Sequence, residues 1–168
     1  MVAAQETHLS EQRCDEVSDK LARSGWRAVA TPSVGVSAGH AGHGELLQLA
    51  PRSSGLGVFE IGQDNVLAPG RAAFAHAAGP FPGGLAQFNV YLKVGEGLSP
   101  LNLSILDTVA RAIRAIKKPY AAVGDFNVEP SELASADILN RISAKAATPA
   151  EGAVRPSGKT IDYFWCRT

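Results

Sequence analysis

Tyr120-Ala121-Ala122-Val123-Gly124-Asp125-Phe126-Asn127 is the stretch on which the reading of this chain turns. Its first four residues are apolar and bounded by turn formers, which predicts a short buried strand. Side chains on a strand alternate with period two, so Asp125 and Asn127 point the same way at the strand end. A carboxylate can act there as a base or as a metal-associated anion, and a carboxamide can hydrogen-bond a phosphate oxygen. Gly124 leaves room for close approach. The competing reading is that Asp125 and Asn127 are turn formers, which both residue types favour.

Working outward, the residues before this strand predict the strongest helix in the chain. Ser99 suits the N-cap and Pro100 the first helical position. Leu101, Ile105, Val109, Ile113 and Ile116 form an apolar stripe, and Lys117, Lys118 and Pro119 close the helix. Arg111, Arg114, Lys117 and Lys118 give it a basic face, read as solvated, with a phosphate-binding role as the lesser alternative. Downstream, residues 130–142 predict a second amphipathic helix, 143–160 a loop and 160–166 a last strand. Upstream, 2–5 reads as a strand, 11–24 as a helix capped by Ser10, and 26–31 as a strand. A loop over 33–44 and strands over 45–50 and 58–61 follow. After a second loop at 62–70, segments 71–78 and 85–94 are set to pair as antiparallel strands across Gly79-Pro80-Phe81-Pro82-Gly83-Gly84. An excess of strands with helices before and after them predicts an α+β or layered fold.

Composition narrows the functional class only a little. A length of 168 residues with 45% hydrophobic content fits one domain with a sizeable core. No apolar run is long enough to cross a membrane, and no basic leader precedes an apolar stretch. The formal net charge is zero, so the overall balance gives no support for nucleic acid. The two cysteines, Cys14 and Cys166, form no metal pattern and read as reduced thiols, which places the chain inside the cell. His8 reads as a surface residue and His76 as a strand residue. His40 and His43 lie three apart in a glycine-rich loop, but nothing else there suggests zinc.

Two further acidic segments flank the central one: Gln5-Glu6-Thr7 near the start, and Thr160-Ile161-Asp162-Tyr163-Phe164 near the finish. Together with Gly124-Asp125-Phe126-Asn127-Val128-Glu129-Pro130 and in this order, they resemble the endonuclease/exonuclease/phosphatase superfamily of magnesium-dependent phosphodiesterases. The spacing from Tyr91 through Gly97 and Asn102 into the central segment is most similar to endonuclease domains of retrotransposon type. The resemblance implies a four-layer α/β/β/α sandwich of two mainly antiparallel sheets, with catalytic residues at strand ends on one rim. It implies that Glu6 holds magnesium, with manganese as a substitute. It also implies that Asp125 positions or activates water, that Asn127 contacts phosphate, and that Asp162 orients a catalytic histidine. Tyr91 stands where family members place a tyrosine or histidine near the phosphate; a core or rim tyrosine is the equal alternative. The substrate implied is nucleic acid, DNA before RNA, with no membrane partner and no sign of an oligomer. A phosphomonoesterase of the same fold is the nearest enzymatic rival.

The chain also departs from that pattern. Family members carry a strand with an asparagine or aspartate ahead of the Glu6 segment, and a Ser-Asp-His segment after the Asp162 strand. Neither lies within residues 1–168, so the resemblance implies a single partial domain, incomplete at both ends. Without that histidine, Asp162 is as readily a structural ion-pair partner as a catalytic group. The protein is then either an enzyme that works without it or an inactive remnant.

Overall fold

The computed structural model describes residues 1–31, 44–57, 66–78, 82–148 and 160–167. Strand β1 (Val2–Gln5) leads to helix α1 (Glu11–Arg23), then to strands β2 (Trp26–Thr31) and β3 (Leu46–Pro51). The Ser10 hydroxyl caps α1 by accepting from the Arg13 N–H at 3.4 Å. Strands β4 (Val66–Ala68), β5 (Ala72–Ala77) and β6 (Leu85–Tyr91) come next, then helix α2 (Pro100–Ile116) and strand β7 (Tyr120–Asp125). Two short helices, α3 (Pro130–Ser135) and α4 (Ile138–Arg141), precede strands β8 (Ala144–Ala147) and β9 (Asp162–Arg167).

The strands form two sheets. One has the order β1-β3-β2 and is antiparallel throughout; the other has the order β4-β5-β6-β7-β9-β8 and contains a single parallel pair, β6 with β7. Alternation along the central strands sorts the core into layers. Phe74, Phe88, Val90, Ala122 and Trp165 face Ile105, Leu106, Val109 and Ile113 of α2 and Leu133, Ile138 and Leu139 of α3 and α4 in one large cluster. The opposite face of the six-stranded sheet meets the three-stranded sheet. There Ala75 and Ala77 pack with Ala50, and Ala73 and Tyr91 pack with Leu46. Helix α1 lies against β2. The result is the four-layer α/β/β/α sandwich of two mainly antiparallel sheets.

On the face that meets the three-stranded sheet β5 presents alanines, and several other buried residues of that layer are polar. Asn89, on β6, is fully buried there and finds its partners on two strands of the facing sheet, β1 and β3. Its Nδ2 donates to the Ala4 carbonyl at 3.0 Å and the Leu47 carbonyl at 3.2 Å, and its Oδ1 accepts from Gln5 Nε2 at 2.5 Å. Gln48 Nε2 donates to the Gln87 carbonyl at 2.8 Å. A buried polar group without partners is costly, so these bonds fix the register of one sheet on the other.

Several elements differ from the sequence expectation. Residues 130–142 are two helices rather than one, because Asp137 sits in the left-handed region at φ 58° and breaks the run. Strands β4 and β8 fall in segments expected to be loops. Strand β6 ends at Tyr91, three residues earlier than expected, and the chain turns there toward α2. The strand expected at 58–61 lies outside the described residues, as do His40 and His43.

Candidate active site

The ends of four strands make one rim. Register places Tyr91 of β6 beside Asp125 of β7, and Asp125 opposite Asp162 of β9. Because β6 and β7 are parallel, both deliver their carboxyl ends to the rim, and antiparallel β9 starts there. Strand β1 packs over β6 and β7 and ends at the same rim. Its next residue, Glu6, turns into the left-handed region at φ 52°. The Tyr91 hydroxyl donates a hydrogen bond to Glu6 Oε1. The sequence-predicted residues Glu6, Tyr91, Asp125, Asn127 and Asp162 thus lie on adjoining strand ends.

Each is held differently. Tyr91 is buried, with its ring beneath the Arg71 guanidinium, 4.7 Å from the ring centroid. Burial first, and then the hydrogen bond and charge of Glu6, push its hydroxyl up to about 12, against the opposing pull of Arg71. Tyr91 therefore remains a proton donor to Glu6 across the ordinary pH range. Asp125 is also buried, and its Oδ1 accepts from the Asn127 N–H at 3.1 Å, the local turn that an Asp at a strand end makes readily. Asn127 has φ 50°, and its Nδ2 donates to the Leu92 carbonyl at 3.0 Å. The turn-forming reading of this pair is thus realised, and one amide donor of Asn127 ties the end of β7 to the chain leaving β6. Asp162 is partly exposed and lines a groove of about 260 Å³ with Gln5, Gln87, Val123 and Gly124.

The loop after β7 is anchored from below. Phe126 is fully buried and stacks on Tyr163 and Trp165, with ring centroids 4.5 Å and 4.4 Å apart. Its N–H donates to the Ile161 carbonyl at 2.9 Å, which extends the β7–β9 ladder past Asp125. The Tyr163 hydroxyl donates to the Val128 carbonyl at 3.0 Å. Gly124 is required where β7 passes β6, since a Cβ there would overlap the Val90 carbonyl.

Sequence reasoning missed three supporting residues. Glu45 precedes β3, and its side chain is completely buried. Its Oε2 accepts from the His8 N–H at 2.6 Å, and the His8 ring, half exposed, stands 4.0 Å away. Glu45 thereby pins the segment carrying Glu6, in which both Glu6 and His8 are left-handed. Asn89 fixes Gln5 from the other side, and Arg71 covers Tyr91. The available signal was a polar residue inside or beside an apolar strand, Glu45 before Leu46-Leu47 and Asn89 between Phe88 and Val90.

The donor set suits a hard cation. Glu6 is exposed and offers carboxylate oxygen, with Asp125 and Asp162 at the neighbouring strand ends. Among the described residues no group of three or more His, Cys, Asp or Glu side chains closes into a metal cage. One or two of these carboxylates suffice for a hard divalent cation that keeps several of its waters.

No protein-family model and no curated protein sequence matches the chain. Solved structures do. The human Nocturnin catalytic domain, determined with bound sulfate anion, superposes with a TM-score of 0.69 at 16% identity over 99% of this chain and 68% of that one. A mannosyl-6-phosphatase of Bacteroides thetaiotaomicron gives 0.64 at 12% identity over 98% and 70%. An endonuclease/exonuclease/phosphatase family protein of the same bacterium gives 0.61 at 12% identity over 94% and 65%. The chain therefore spans about two thirds of the length of these structures. Two sheets of this order, flanked by helices and superposing on these structures, give the chain the fold of the endonuclease/exonuclease/phosphatase superfamily.

Proposed function

We propose that the chain hydrolyses phosphodiesters with a divalent metal, and that its substrate is DNA. The observation carrying this reading is the convergence of Glu6, Tyr91, Asp125 and Asp162 on one rim, with the Tyr91 hydroxyl bound to the Glu6 carboxylate. Phosphoester cleavage needs charge neutralisation at phosphate, an activated water and stabilisation of the leaving oxygen. Magnesium, when bound, supplies the first and the last. Glu6 would hold it, with Tyr91 fixing the direction of the carboxylate and Glu45 pinning the segment that carries it. Asp125, buried at the strand end and oriented by the Asn127 N–H, would position a water and accept its proton. Asn127 would contact phosphate from the left-handed turn, and Asp162 would orient solvent on the far side of Asp125.

Fold similarity to a mannosyl-6-phosphatase favours a second reading, a phosphomonoesterase. A substrate panel separates the two. Purified protein is assayed in magnesium with supercoiled plasmid, a single-stranded RNA and mannose 6-phosphate. Plasmid nicking without phosphate release from mannose 6-phosphate is expected. Release from the phosphomonoester with intact plasmid would overturn the DNA reading and establish the rival.

A further inference from the structure

A cavity at the other end of the six-stranded sheet lies away from the rim. It measures about 540 Å³ and is lined by Ile113, Arg114 and Lys117 at the end of α2, by Lys118 and Tyr120, by Arg141, Ile142 and Ser143, and by Arg167 at the end of β9. Strand β7 has Tyr120 at this cavity and Asp125 at the rim, so the two sites are separated by the strand's length, about 17 Å at a strand rise of about 3.3 Å per residue.

Five cationic side chains line this one concavity, and no acidic side chain lines it among the described residues. The chain as a whole carries equal numbers of basic and acidic residues, 16 of each, so the concentration is local. Part of it has an internal explanation. Arg141 is engaged with Asp107 at 2.5 Å, and Asp107 also holds Arg111 at 3.1 Å. The carboxyl end of α2 carries about half a unit of negative charge, which favours nearby cations. Setting Arg141 and Lys118 aside, Arg114, Lys117 and Arg167 still bring more positive charge than the helix end can balance. Ile113, Tyr120 and Ile142 are buried and supply an apolar floor. The Tyr120 hydroxyl already donates to the Ile142 carbonyl at 2.8 Å, so that floor is rigid.

We propose that this cavity is a binding site for a compact anion bearing a chain of phosphates, a di- or triphosphate, separate from the catalytic rim. The volume is that of a small-molecule site. Arginine guanidinium groups match phosphate oxygens in bidentate fashion, and three of the five cations are arginines. The site does not depend on the hydrolytic reading, because it shares no residue with the rim.

The test is calorimetric titration of the intact protein with sodium tripolyphosphate. It is carried out in EDTA, so that metal-dependent binding at the rim is abolished. Inorganic phosphate and a 12-nucleotide single-stranded DNA serve as comparison ligands. The variants are Arg114→Glu with Lys117→Glu, both at exposed positions, and Asp125→Asn at the rim. Tripolyphosphate is expected to bind about tenfold tighter than phosphate or the oligonucleotide. The double variant should lose about tenfold or more, Asp125→Asn should bind as the parent does, and raised salt should weaken all three. The proposal is overturned if tripolyphosphate gives no heat at millimolar concentration, if the double variant binds as the parent does, or if the loss falls on Asp125→Asn. Tighter, Arg114-dependent binding of the oligonucleotide would also overturn it, in favour of a nucleic-acid surface.

Discussion

A tyrosine hydroxyl aimed at a carboxylate organises the rim, and it makes Tyr91 the residue whose removal is most informative. Tyr91→Phe keeps the ring, its burial and its contact with Arg71, and deletes only the donor to Glu6. The expected result is a protein that folds normally and whose metal-dependent turnover falls about tenfold, the usual scale for losing a group that orients a metal ligand. Titrating metal affinity beside turnover checks where the loss falls. The same hydroxyl predicts a pH dependence. Its folded value is raised from 10.0 to about 12, so the neutral form is favoured by folding. That contribution is complete below about pH 10 and is lost as pH rises toward 12. Burial raises Tyr163 as well, so alkaline unfolding should be shallower in Tyr91→Phe but not abolished. Glu45 is the second residue to test. Glu45→Ala removes the acceptor for the His8 N–H and frees the Glu6 segment, while Glu45→Gln can still accept that bond. Turnover should fall about tenfold in the first and largely persist in the second. Equal losses in both would assign the effect to the charge of Glu45 rather than to its hydrogen bond.

At the scale of elements, the sequence was legible where chemistry and periodicity agreed. The capped helix after Ser99, the strand ending at Asp125 and the strand starting near Asp162 are all found where their patterns put them. Strand β8 was not legible, because Ala-Lys-Ala-Ala carries no strand preference of its own and is extended only through pairing with β9. The break at Asp137 was hidden by an apolar pattern that runs through both short helices. Glu45 and Asn89 stood out only as polar residues beside or inside apolar strands, and their partners were not legible: His8 lies 37 residues from Glu45 on the same sheet, and Gln5 and Ala4 lie more than 80 residues from Asn89 across the sheet interface. Two elements carry sharp predictions. Gly124→Ala would force the parallel β6–β7 pair apart at the Val90 carbonyl, and should destabilise by about 3 kcal/mol or more, read as a lowered denaturation midpoint. Asn102 is buried in the first turn of α2 and bonds the Lys93 N–H at 2.9 Å, the Lys93 carbonyl at 3.2 Å and the Gly97 carbonyl at 2.7 Å. Asn102→Ala should cost about 2 kcal/mol and loosen the chain that leaves Tyr91.

At the scale of the molecule, the sandwich places opposite chemistries at opposite ends of one sheet. Asp125 and Asp162 stand at one end of the β7–β9 pair, and Lys118 and Arg167 at the other. The zero net charge of the sequence concealed that separation, since summation over the chain discards position. Similarity to solved structures extends over nearly the whole chain, yet at 12–16% identity it speaks for the fold. What the rim does rests on its residues. The most direct test is nicking of supercoiled plasmid by the purified, folded protein in magnesium and in EDTA, with Glu6→Gln and Asp125→Asn alongside. The account predicts magnesium-dependent nicking by the parent protein and a loss of about 100-fold or more in each variant. Nicking that survives in EDTA or in both variants, or a parent protein that is folded and inert in magnesium, would contradict it.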